Sequence, residues 1–230
     1  MKTPCEHPGN LSFLLIISFV IEMSAISVLW TVLSLVLLFT CTLALFSPFW
    51  HEHLPDPLST NNSESFTAFG LLRFCFQEQF VTLQEIDAWR SSKYCSFYEN
   101  IFSGIPSIYW KGAASTYALA LVLLLGALFL AHVACCQRFI CGKSVFAIAG
   151  VMQSIAVALL VVSLLVYPFG FKSTYVQQHC GSSSGFFTSG ACDIAWGYVL
   201  AIVSTALLFF CPMIAYHLSV ARPRSKATVV

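Results

Sequence analysis

The sequence predicts a membrane α-helical protein built on four transmembrane helices, and three observations carry that reading. Of 230 residues, 58% are hydrophobic and only 9% are charged, against about 25% charged in a soluble domain. Four stretches reach the roughly 20 apolar residues that span a bilayer core of about 30 Å. None of the four contains Asp, Glu, Lys or Arg. Eleven basic residues against ten acidic ones leave a net charge of +1, so no basic surface exists to hold a nucleic acid backbone.

The predicted spans are residues 24–46, 113–135, 145–167 and 195–217. Between them lie a large loop (47–112), a tight hairpin (136–144) and a medium loop (168–194), followed by a short tail (218–230). Lys and Arg are retained on the cytoplasmic side of short flanks. Arg138 and Lys143 in the hairpin, with Arg222, Arg224 and Lys226 in the tail, therefore place the hairpin and both termini in the cytoplasm. The large loop carries seven acids against Arg73, Arg90, Lys93 and Lys111, as an exported ectodomain would. Residues 1–23 contain an apolar run, Leu11–Ile21, that has the look of a signal-peptide core. Cleavage there would leave four spans with the cysteine-rich loops in the cytosol. That parity favours an interfacial cytoplasmic segment running into the first span, with Glu22 at headgroup level.

Nine of the ten cysteines are sorted by this map. Cys75 and Cys95 fall in the first exported loop and Cys180 and Cys192 in the second, in the compartment where disulfides persist. An even number per loop suggests one bridge within each, with cross-loop pairing as the alternative. Each bridge would restrict the unfolded ensemble by roughly 3 kcal/mol. Cys135, Cys136 and Cys141 lie at the cytoplasmic edge, where palmitoylation is common, and read equally as unmodified thiols. Cys41 and Cys211 sit inside spans as small apolar packing residues. No Cys-x-x-Cys occurs, which disfavours thiol–disulfide chemistry.

In the first loop, the aromatic-rich stretch Phe66–Phe80 with Gly70 inside reads as a strand followed by a tight bend. Asn61-Asn62-Ser63 is a glycosylation acceptor on the exported side, and Ser182–Gly185 reads as a turn between the cysteines of the second loop. Small residues recur every fourth position on three spans: Ala127, Ala131 and Cys135 on the second, Gly150, Ser154 and Ala158 on the third, Gly197, Ala201 and Thr205 on the fourth. Such spacing lets backbones approach closely, either within the bundle or against a partner helix. A transporter places ionisable groups at mid-membrane, and these spans have none. His51-Glu52-His53 lacks a further ligand at useful spacing for a metal, and no nucleophile with a His and a carboxylate can be assembled. No enzyme and no cofactor are expected. The C-terminal Thr228-Val229-Val230 has the hydroxyl and apolar terminus that a PDZ domain captures by strand addition.

Several ordered segments resemble the lipoma HMGIC fusion partner-like (LHFPL) tetraspan family, relatives of the claudins and of tetraspan AMPA-receptor regulatory proteins. They are Leu29-Trp30-Thr31, Pro48-Phe49-Trp50, Phe69-Gly70-Leu71 leading to Cys75, Cys95, Ile105-Pro106-Ser107, Tyr167-Pro168, Cys180-Gly181, and Cys192 followed by Trp196-Gly197-Tyr198. Leu72 stands where claudins carry Trp, which favours the LHFPL branch. The resemblance implies a claudin-like four-helix transmembrane bundle topped by a small extracellular β-sheet from the first loop, joined by part of the second. It further implies a Cys75–Cys95 sheet disulfide and a hydrophobic sheet anchor made by Trp50, Gly70 and Leu71. It implies no catalysis. The expected role is an accessory subunit at the plasma membrane that binds a channel, receptor or adhesion protein, with a claudin-like adhesion or barrier component as the alternative.

Overall fold

The computed structural model describes residues 25–53, 67–78, 92–100, 102–136, 139–140 and 143–220. Four helical segments are long and apolar enough to cross a membrane: Ile26–Phe46, Ile108–His132, Val145–Lys172 and Trp196–Val220. Helix α1 is Ala25–Phe46, α2 is Ile108–Cys136 and α3 is Val145–Val166. A 3₁₀ turn over Tyr167–Lys172 extends α3, α4 is Thr174–Cys180, and the last span is divided into α5, Trp196–Leu208, and α6, Phe210–Val220.

Two departures from the predicted spans have local causes. Helix α2 starts at Ile108, five residues before Ala113, because Pro106 blocks helix only upstream of it. Lys111, inside that extra turn, is half-buried and donates from Nζ to the Ser103 carbonyl, at 3.1 Å. At 29 residues α2 is about 44 Å long, more than a bilayer core requires, so its first turn extends past the hydrocarbon core, where Trp110 packs on Phe69 of β2. The fourth span is broken at Phe209. Pro212 has no N–H to offer the Leu208 carbonyl four residues back, so the regular ladder is interrupted there.

The strands are β1 (His51–His53), β2 (Thr67–Phe69), β3 (Arg73–Glu78), β4 (Ser92–Phe97), β5 (Phe139–Ile140), β6 (Lys143–Ser144) and β7 (Asp193–Ile194). One antiparallel sheet has the order β4-β3-β2-β1-β7, and β5 with β6 forms a small hairpin between α2 and α3. The short second-loop strand β7 pairs with β1, His51 opposite Ile194. In the β3–β4 register Cys75 lies opposite Cys95, and the two form a disulfide. Cys180 and Cys192 form the second, tying the end of α4 to the residue before β7.

The sheet sits on the bundle through an aromatic junction. Trp50 is fully buried, with ring centroids 4.7 Å from Tyr167, 5.3 Å from Tyr198 and 6.0 Å from Tyr117. Its indole N–H donates to the Ala44 carbonyl at 2.7 Å, at the end of α1 where carbonyls lack helical partners. Leu71 is also fully buried. At Gly70 an added Cβ would collide with the Ser47 carbonyl oxygen and come within 3.2 Å of Pro48 Cα. The bend between β2 and β3 thus rests directly on the chain leaving α1, and only a glycine leaves room.

Replacing Gly70 with Ala should therefore destabilise sheet docking by about 1–3 kcal/mol, the usual cost of overpacking. A lowered melting temperature of the purified protein in detergent, compared with an alanine placed at the open position Gly112, would show it.

Candidate functional site

Beside Trp50, His51 points into the same junction. It is buried against Phe171 (4.5 Å between ring centroids), Tyr167 (5.5 Å) and Phe69 (6.0 Å, stacked). Its Nδ1 lies 3.3 Å from the Tyr167 hydroxyl, while Nε2 is buried with no hydrogen-bond partner among the described residues. Burial in this apolar cage pushes the imidazole pKa down to about 4 because the charged form loses its hydration. A neutral, sterically fixed ring is a packing element here. His53, two residues on, turns away and places Nδ1 3.1 Å from the Ala191 carbonyl, so the two histidines do not converge.

Within the bundle, the aromatic and polar heads find partners inside the protein, as the absence of water in a hydrocarbon core requires. Tyr117 donates to the Cys41 carbonyl (3.2 Å), Tyr198 to Leu164 (3.0 Å), Trp110 to Tyr167 (3.1 Å) and Ser163 to Ala113 (2.8 Å). Towards the α2–α3 hairpin end, Trp30 Nε1–H is shared between Gln153 Oε1 (3.2 Å) and the Cys211 carbonyl (3.0 Å). Gln153 Nε2 donates to Ser34 Oγ at 2.9 Å. The Gln153 amide thereby ties α3 to α1, and the shared Trp30 N–H carries the tie on to α6. The sequence reading looked for charged groups in the spans and passed over this uncharged one. Its only signal was a lone Gln in a 22-residue helix whose other polar side chains are two serines.

The small-residue positions divide into two sets. Gly150 meets α6, where an added Cβ would lie 3.1 Å from Ala215 Cβ, and Gly197 meets the chain after α1, where a Cβ would lie 2.6 Å from the Phe49 carbonyl. Ala127, Ala131, Ala201 and Thr205 are buried as well. These residues are used by the bundle itself. Ser154 and Ala158 are exposed. Ser154 lines a groove of about 500 Å³ between α3 and α6, with Val157, Phe209, Pro212, Met213, Tyr216 and His217. The helices touch at Gly150 and Ala215, and the break at Phe209 opens the space beyond. Ser154 Oγ is satisfied by the Gly150 carbonyl at 2.9 Å, so the groove offers shape and apolar surface.

The remaining sequence candidates lie elsewhere. Cys41 and Cys211 are buried free thiols. Cys135 and Cys136 end α2. Asn61, Cys141, Thr228, Val230 and the segment Leu11–Ile21 lie outside the described residues.

Two outcomes follow from this geometry. Replacing Gln153 with Leu removes the amide, leaves the Ser34 hydroxyl without its donor, and should cost about 1 kcal/mol, read as a lower melting temperature with the disulfides intact. For His51, the undocked ring takes up a proton near pH 6.5 and the docked ring only near 4, so the undocked state binds more protons between those values. Junction stability should be complete above about pH 6.5 and fall by up to roughly 3 kcal/mol as pH drops towards 4. Thermal melts across that range, with His51→Phe flattening the dependence, provide the check.

Comparison with known proteins agrees with the architecture. The family described as "Lipoma HMGIC fusion partner-like protein" matches residues 26–220. The chain is 29% identical over 209 residues to LHFPL tetraspan subfamily member 2a protein of Danio rerio, covering 87% of this chain and 89% of that one. It is 31% identical over 200 residues to subfamily member 7 of Xenopus tropicalis, covering 84% and 91%. With human subfamily member 4 it shares 28% over 181 residues, 78% and 66%. Four membrane-spanning helices, a small antiparallel sheet between the first two, and a matching family profile over nearly the whole described chain lead to one conclusion: the protein belongs to the LHFPL family of tetraspan membrane proteins.

Proposed function

We propose that this protein is a non-enzymatic accessory subunit that binds a larger integral membrane protein, a channel, receptor or adhesion protein, laterally through its spans and from above through its first loop. The observation that carries the proposal is the division of the small residues. The bundle closes on Gly150, Gly197, Ala201 and Thr205, while Ser154 and Ala158 are left facing outward beside a preformed groove. Small residues next to a groove are what a partner helix needs for close backbone approach. The sheet adds a second contact: β4 is its terminal strand among the described residues, and Tyr94 and Phe97 on it are exposed, an arrangement suited to pairing with an extended partner segment.

In this reading the sheet is extracellular, both termini are cytoplasmic and the protein acts at the plasma membrane. Arg138, Lys143 and the basic tail support that orientation through the positive-inside bias. Asn61 then carries glycan, Cys135, Cys136 and Cys141 are available for palmitoylation, and Thr228 and Val230 can engage a PDZ scaffold. The names of the relatives describe membrane proteins and mention no reaction.

Filling the outward face with Ser154→Phe and Ala158→Phe tests the proposal. Proximity labelling followed by mild-detergent purification should recover a larger membrane protein with the parent chain and lose it with the filled variant, at unchanged melting temperature. Recovery only of further copies of this chain, concentrated at cell contacts, would favour a claudin-like adhesion component and overturn the accessory role.

A further inference from the structure

The loop between Cys180 and Cys192 ends in a tight turn. Gly185 N–H donates to the Thr188 carbonyl at 2.9 Å and Thr188 N–H returns to the Gly185 carbonyl at 3.2 Å, so Phe186 and Phe187 alone form the tip. Phe187 has φ +62°, a backbone region that bulky L-residues rarely adopt and that turns of this kind usually fill with glycine. Its side chain is 61% exposed and that of Phe186 48%. An aromatic residue held in glycine's conformation, with its ring turned outward, gives the loop itself little packing in return.

The neighbours of these rings say where the tip lies. Phe187 and Phe186 pack on Phe169 with centroids 4.9 and 5.8 Å away, and Phe169 lies 6.0 Å from Tyr109. Tyr109 is the second residue of the second span and Phe169 is in the last turn of the third. Lys172, which ends that span, holds its ammonium 5.0 Å from the Phe186 ring centre. Aromatic rings at the ends of spans, with a cation beside them, are the composition of a membrane–water interface. The stretch Gly181–Cys192 contains no charged residue, so nothing in it resists entering that zone.

We propose that Phe186 and Phe187 form a membrane anchor: the disulfide-closed tip of the second loop inserts its two rings into the headgroup and upper acyl region of the leaflet on the sheet side, with Lys172 at phosphate depth. Because β7 directly follows the same disulfide and pairs with β1, the anchor holds the sheet at a set height and tilt over the bilayer. The occupant of this surface is lipid, whichever compartment the sheet faces, and the proposal does not depend on the accessory role.

The test uses the full chain, purified into phosphatidylcholine nanodiscs, with the photoreactive analogue p-benzoylphenylalanine replacing Phe187, or Phe186 in a second variant. The same replacement at Val162, exposed on the third span, is the lipid-facing control. Irradiation should add the mass of one phospholipid at position 187 and at position 186, at yields comparable to the control. Intact Cys180–Cys192 bonding in each variant shows that the loop has folded. An unlabelled loop beside a labelled control, or an adduct joining two copies of the chain in place of lipid, would overturn the anchor.

Discussion

The structure depends on how the chain leaves the membrane after its first helix. Four residues separate Phe46 from the start of β1, and in that length a helix must end with its last carbonyls satisfied in a region poor in water. Trp50 solves both problems. Its indole donates to the Ala44 carbonyl, and its ring fills the space between Tyr117, Tyr167 and Tyr198, one on each of the other three spans. Everything above follows from this wedge: β1 starts one residue later, β2 and β7 pair on either side of it, and Gly70 lets the next bend rest on the backbone of Ser47 and Pro48. His51 shares the cage, packed against Phe171, Tyr167 and Phe69.

Lower in the bundle the same shortage of water produces a second tie. Hydrophobicity gives helices in lipid little reason to associate, so close packing and internal hydrogen bonds set their arrangement. Gly150 and Gly197 supply the close approaches, and Gln153 with Trp30 and Ser34 supplies the hydrogen bonds. Pro212 then works against perfect packing. Beside the break it makes in the fourth span, Pro212 lines a groove together with Phe209, Ser154 and Val157. The groove borders the middle of the third span, and the tip of the second loop packs at its end.

Much of this was legible from residue order. The four apolar stretches are set by bilayer thickness, which is external to the fold. Pairing of cysteines within each loop was suggested by the even partition, with cross-loop pairing left open until the structure showed Cys75–Cys95 and Cys180–Cys192, and a bend at Gly70 came from turn chemistry between two aromatic runs. Gly150, Gly197, Ala201 and Thr205 were recognisable as packing residues from their spacing. That spacing could not tell them from Ser154 and Ala158, because a four-residue repeat puts each set of three on one face of its own helix, and the position of the neighbouring helix decides which are covered.

By itself, then, the sequence determined what local composition and the membrane can dictate: the number and approximate limits of the spans, the loop that carries the sheet, and the family resemblance. Tertiary structure alone decided which polar groups meet. Trp30, Ser34, Gln153 and Cys211 are separated by up to 181 positions along the chain, and no periodicity within one helix reveals a bond between three. The burial of His51, the groove beside Pro212 and the outward rings of Phe186 and Phe187 share that origin. Each depends on what a distant segment places beside it, and that is set only when the helices have packed.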